Sequence, residues 1–139
     1  MDDAGGAIYS KASNVYVTNN KFTNNYAWWW GGAFMNAQGT DTLEIRDSTF
    51  TKNTAFNAGA VDIYETPNAK VINCRFDDNI AGQTCAALYM NGLDGLISYC
   101  NFTNNVANES SAISYTPQGT DNVDATKATI EYCNFINNK

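Results

Sequence analysis

Ile97-Ser98-Tyr99-Cys100-Asn101-Phe102-Thr103-Asn104-Asn105 is the stretch whose reading decides the fold. Cys100 and Phe102 lie two apart, so in an extended chain they share a face, and Ile97 has the opposite parity. For all three to point inward, a corner must fall between Ile97 and Cys100. The same spacing returns at Ile130, Cys133, Phe135 and Asn138. Phe-x-x-Asn itself occurs five times, at Phe22 with Asn25, Phe50 with Asn53, Phe76 with Asn79, Phe102 with Asn105 and Phe135 with Asn138. The phenylalanines are 28, 26, 26 and 33 residues apart. A second motif interleaves in phase: two small residues, alanine, then a large apolar residue. It reads Gly5-Gly6-Ala7-Ile8, Gly31-Gly32-Ala33-Phe34, Ala58-Gly59-Ala60-Val61, Cys85-Ala86-Ala87-Leu88 and Ser110-Ser111-Ala112-Ile113. A fixed period in this range means a repeat architecture.

The repeat is of β type. Helical repeats need amphipathic stretches of ten or more residues at 3.6 periodicity, and none is visible. Short pieces such as Val15-Tyr16-Val17, Leu43-Glu44-Ile45 and Lys70-Val71-Ile72 are instead separated by Asn, Gly, Asp and Thr, which form turns. Short strands and corners repeated every ~27 residues make the coils of a single-stranded parallel β-helix, an all-β solenoid. The spacing predicts five coils, near 5–30, 31–57, 58–84, 85–109 and 110–139, in one domain covering 1–139. At the strand spacing the rod is on the order of 24 Å long. Stacking puts equivalent positions above one another. Phe22, Phe50, Phe76, Phe102 and Phe135 then form an aromatic ladder. Asn25, Asn53, Asn79, Asn105 and Asn138 form an amide ladder, expected to occupy tight left-handed corners that Asn tolerates.

Composition agrees. The 139 residues carry 8 Lys+Arg against 14 Asp+Glu, a net charge of −6, with 20 asparagines, 2 prolines and no histidine. Proline cannot donate to a ladder, so its scarcity fits. Without histidine there is no Ser-His-Asp or Cys-His catalysis. The acidic balance argues against nucleic acid. No apolar run approaches the roughly 20 residues of a transmembrane helix, and Met1-Asp2-Asp3-Ala4 does not open a signal peptide.

The pairing of Gly-Gly-Ala-Ile with Phe-x-x-Asn resembles the repeats of polymorphic outer-membrane proteins. It is similar as well to the adhesin-like β-helix repeats of large microbial surface proteins. The form Ile-x-x-Cys-x-Phe-x-x-Asn at Ile97 and Ile130 is typical of the latter. The resemblance spans essentially the whole chain and implies that the parallel β-helix is right-handed, with an extracellular, cell-surface, adhesive role without catalysis. It departs where Gly-Gly becomes Cys-Ala and Ser-Ser, and where Asn20 and Ser48 precede the Cys column.

The ends match in register. Phenylalanine to the motif alanine is 11, 10, 11 and 10 residues, and joining Lys139 to a second Met1 gives 11. The chain is therefore either a segment of a longer array or a protomer that stacks head to tail into a filament.

Candidate sites are few. Cys74, Cys100 and Cys133 fall in one column, where parallel side chains suit stacked, buried, reduced thiols; Cys85 lies in another. No cofactor or metal is expected, since a single-file ladder cannot surround an ion. Trp28-Trp29-Trp30 is the unusual stretch, because parity sends at least one ring outward. Exposed tryptophan suits a surface glycan or a host-protein contact, so a carbohydrate-binding module using Trp28 to Trp30 and the loop edge is the alternative function. A polysaccharide lyase or hydrolase is a third. It needs clustered carboxylates, and Asp47 and Asp62 stand alone in their columns. Asp77-Asp78 is the only adjacent acidic pair inside a coil, with Lys52 placed to pair with Asp78 across the stack. Variable segments (36–42, 64–69, 91–95 and 115–126) protrude along one edge, where binding loops evolve. Sequons occur at Asn101 and Asn108.

Overall fold

The computed structural model describes residues 4–12, 14–38, 42–117 and 127–139. The described chain is built of strands, turns and bends, with no helix, and its strands stack in three five-stranded parallel sheets. The first sheet holds β1 (Ile8–Lys11), β4 (Phe34–Ala37), β8 (Val61–Tyr64), β12 (Leu88–Gly92) and β15 (Ile113–Pro117). The second holds β2 (Val15–Thr18), β5 (Leu43–Arg46), β9 (Ala69–Ile72), β13 (Asp94–Ser98) and β16 (Lys127–Glu131). The third holds β3 (Lys21–Thr23), β6 (Thr49–Thr51), β10 (Arg75–Asp77), β14 (Asn101–Thr103) and β17 (Asn134–Ile136). A short pair, β7 (Thr54–Ala55) and β11 (Ile80–Ala81), widens one corner. Each turn of the solenoid therefore crosses three faces. Five strands per sheet enclose about four turns, one fewer than the five coils the spacing predicts, because five rungs leave four steps between them. Parts of the variable segments, 39–41 and 118–126, lie outside the described residues.

The core is made of columns. In-register parallel pairing sets Phe22, Phe50, Phe76, Phe102 and Phe135 on top of one another. Their rings stack at 4.8 to 5.1 Å, tilted by 4° to 7°. That separation is the strand spacing itself. The three middle rings are fully buried, but Phe135 on the last rung is 50% exposed. Val17, Ile45, Val71 and Ile97 line the second sheet inside, and the corner between Ile97 and Cys100 falls at Tyr99, in the left-handed region.

The asparagine ladder is a continuous hydrogen-bonded line. From each rung the backbone N–H and the Nδ2 of the ladder asparagine both donate to the next Oδ1. For Asn53 to Asn79 the distances are 2.9 and 3.1 Å, and for Asn79 to Asn105 they are 3.1 and 3.0 Å. Asn25 joins Asn53 and Asn105 joins Asn138 in the same way. The second Nδ2 hydrogen reaches back to a phenylalanine carbonyl, as Asn79 does to Phe50 at 2.9 Å. The left-handed conformation expected of these asparagines belongs to the residue before each: Asn24, Lys52, Asp78, Asn104 and Asn137. The chain turns there so that the following amide can point inward.

Small residues sit where rungs approach most closely. A Cβ on Gly32 would collide with the Gly59 carbonyl, and Gly31 has φ +57°, a conformation that favours glycine. The four cysteines are free thiols. Cys74 and Cys100 are buried, each Sγ donating at 3.3 Å to the carbonyl two residues earlier. Cys133, expected to be buried, is half-exposed because no described rung follows it. Cys85 is buried in its separate column, and burial pushes its thiol up to about 11.

Candidate functional site

The aromatic residues concentrate at one corner of the solenoid. The backbone through Trp28-Trp29-Trp30 is held in the ladder. The Trp28 carbonyl accepts from Phe56 N at 3.3 Å and the Trp29 carbonyl from Asn57 N at 2.7 Å. Trp30 bridges Ala4 on one side and Asn57 on the other, and its carbonyl accepts from Gly5 N at 2.9 Å. Ala27, just before the run, is buried. With the backbone so fixed, all three indoles lie on the surface, at 58%, 41% and 38% exposure. Parity requires at least one outward ring, and here all three are outward, because the run is a corner held by its carbonyls and not an extended strand with alternating faces.

The run is divided between two clefts. Trp28 and Trp29 join Tyr26 and Phe56 around a cleft of about 280 Å³. Trp29 and Phe56 meet edge to face, with ring centroids 5.3 Å apart and planes at 85°. Trp30 turns over the outer face of the first sheet and lines a second cleft, again about 280 Å³, with Met35, Asp62 and Tyr64. Tyr64 opens the variable segment 64–69, so the tryptophan corner and the loop edge flank the same sheet.

Asp62 is the residue sequence reasoning missed. It was placed alone in its column, and its in-register neighbours are indeed Met35 and Tyr89. Val61 and Ile63 face the core, so Asp62 faces outward. It is nevertheless only 1% exposed, and neither carboxyl oxygen has a hydrogen-bond partner. Burial alone pushes its carboxyl up to about 7. The available signal was its surroundings in other rungs: a tryptophan and a methionine one rung before, a tyrosine one rung after, and Tyr64 two residues along.

The remaining acidic candidates are dispersed. Asp77 pairs with Arg75 within β10, and Glu44 accepts from Arg46 Nε at 2.7 Å within β5. Lys52 and Asp78 form no ion pair, although both occupy the left-handed corner position of adjacent rungs. Among the described residues no group of three or more Cys, Asp or Glu side chains is placed to hold a metal ion. The sequon asparagines are both exposed. Asn101 Oδ1 accepts from Asn134 Nδ2 at 2.8 Å, and Asn108 Nδ2 donates to the Gly82 carbonyl at 2.7 Å.

A sequence model described as a right-handed β-helix region matches residues 5–139. The metabotropic glutamate receptor-like protein R of Dictyostelium discoideum is 31% identical over 102 residues. That alignment takes in 73% of this chain and 6% of the relative, so the chain spans only a small part of its length. No solved structure matches the chain.

Proposed function

The chain belongs to the right-handed β-helix family, and from that premise we propose that it is a non-catalytic, adhesive recognition segment of an extracellular surface protein that holds carbohydrate at its tryptophan corner. The observation that carries this reading is the cleft of Tyr26, Trp28, Trp29 and Phe56 on a backbone fixed by ladder hydrogen bonds. Aromatic faces match the apolar C–H faces of sugar rings, and exposed tryptophan is costly unless something covers it. A rigid backbone keeps the rings in place before binding, which reduces the ordering cost. The lining of this cleft is aromatic and holds no carboxylate. Glycoside hydrolysis needs two carboxyl groups about 5–10 Å apart, so binding without cleavage is the better fit. Similarity to a segment of a receptor-like protein supports a surface location. A glycan array probed with the purified chain is expected to give a restricted set of positives, with Trp29→Ala weakening them at least tenfold and leaving the β-type circular dichroism intact. Silence across the array, or unchanged binding by the folded variant, would contradict the reading.

End-to-end stacking is a second reading, favoured by the last rung. Ile130, Phe135 and Ile136 are about half exposed, while Ile97 and Phe102 one rung earlier are buried. Open strand edges beside apolar ladders template a further rung, supplied by more of the same chain or by a second copy. For the second copy, sedimentation velocity should show mass rising with concentration. A constant monomer up to high concentration would exclude it.

A further inference from the structure

Asp62 lies beneath the cleft formed by Trp30, Met35 and Tyr64. A buried carboxyl is stable only when it is neutral, when donors satisfy it, or when a cation meets it. Here no donor is supplied: both oxygens are buried and unpartnered. The walls are an indole, a phenol and a thioether, and the π faces of the first two attract cations. Trp30 and Tyr64 are exposed and line the same surface cleft as Asp62. The volume, about 280 Å³, matches that of the other aromatic cleft, so it is the carboxyl beneath the aromatic walls, and not the size, that points to a cationic head.

We propose that this cleft is a binding site for an alkylammonium group, with Asp62 as its counter-ion and Trp30 and Tyr64 as its aromatic walls. The site is separate from the cleft proposed for carbohydrate and uses a different tryptophan, so either can fail alone. It requires the ionised carboxylate. Burial pushes that carboxyl up to about 7, so affinity rises with pH through this range. The other titratable groups around it are Tyr64 and Glu65 at the end of β8, Tyr89 on β12 and Cys85 at the preceding corner. Met35 and Trp30 carry no charge. Cys85 is pushed up to about 11 and Tyr64 above its ordinary value, so neither titrates between pH 5 and 8.

The test is a titration of the full chain with tetramethylammonium chloride at constant ionic strength, read by tryptophan fluorescence. Saturable binding is expected at pH 8, at least tenfold weaker in Asp62→Asn and in Trp30→Ala. In the wild-type chain it should weaken on the order of 100-fold at pH 5, where the carboxyl is protonated. tert-Butanol, a neutral analogue, should not saturate. If Asp62→Asn fails to fold, the pH and tert-butanol arms in the wild-type chain still decide. Butylamine and a short peptide with one lysine distinguish the source: tighter binding of the peptide assigns the site to a protein partner, and equal binding to a free amine. No saturation by any ammonium probe, equal affinity for tert-butanol, or affinity independent of pH would overturn the proposal.

Discussion

Asn79→Asp is expected to unfold the protein at neutral pH, or to lower its stability by at least about 4 kcal/mol. Asn79 is fully buried, and its carboxamide makes four hydrogen bonds. Its Oδ1 accepts from the Asn53 backbone N–H and from Asn53 Nδ2. Its Nδ2 donates to the Phe50 carbonyl and to Asn105 Oδ1. Aspartate preserves the first pair. It replaces the second donor group with an oxygen that faces two acceptors, and it adds a charge where no cation can reach. Protonation restores one donor, so the variant should be less impaired at low pH than at high pH. Asn79→Ala is milder, because the backbone N–H of residue 79 still donates to Asn105. It leaves the Asn53 N–H without an acceptor and should cost about 2–4 kcal/mol. Urea denaturation followed by circular dichroism measures both. Wild-type stability in Asn79→Asp at pH 8 would refute the load assigned to the amide ladder.

Asp62→Asn should stabilise the protein as pH rises. In the native state the carboxyl titrates near 7, and in the unfolded chain near 3.8. Between those values the native state holds a proton that the unfolded state has released, so wild-type stability falls with pH. The slope is about 1.4 kcal/mol per pH unit. The penalty is absent below about pH 4 and complete above about pH 7, reaching roughly 4 kcal/mol. Asparagine has no such term. The stability of Asp62→Asn relative to wild type should therefore grow between pH 5 and pH 8, by roughly 3 kcal/mol. Subtracting the two curves removes the titration of all other groups. A difference independent of pH would mean that Asp62 is ionised and solvated in the native state. Saturating tetramethylammonium should shrink the difference at pH 8, because the cation stabilises the ionised form.

What was legible in the sequence follows from stacking. A parallel in-register solenoid places each residue over its equivalent, so a column such as Phe22 to Phe135 can be read by spacing alone. The corner at Tyr99 was legible for a similar reason, since Ile97 and Cys100 cannot both face inward without it. The left-handed residue was assigned one position late, because Asn24-Asn25 and Asn104-Asn105 offer asparagine at both positions. Lys52 and Asp78 reveal which of the two turns, as neither could join an amide ladder. Asp62 was not legible by columns. Outward parity suggests exposure, but Trp30 and Tyr64 close over it from a neighbouring rung and from the strand end. The tryptophan run turns all three rings outward, more than the one that parity requires, because it is a corner held by its carbonyls. Rungs at the edge also behave differently: Cys133 and Phe135 occupy core columns yet are not covered.

Fluorine NMR of the chain labelled with 5-fluorotryptophan tests the central claim most directly, because the three tryptophans give three signals that single substitutions assign. Titration with an array-positive glycan should move the Trp28 and Trp29 signals and leave Trp30 in place. No movement of the Trp28 and Trp29 signals at saturating glycan, or movement of Trp30 alone, would contradict the assignment of carbohydrate to the tryptophan corner.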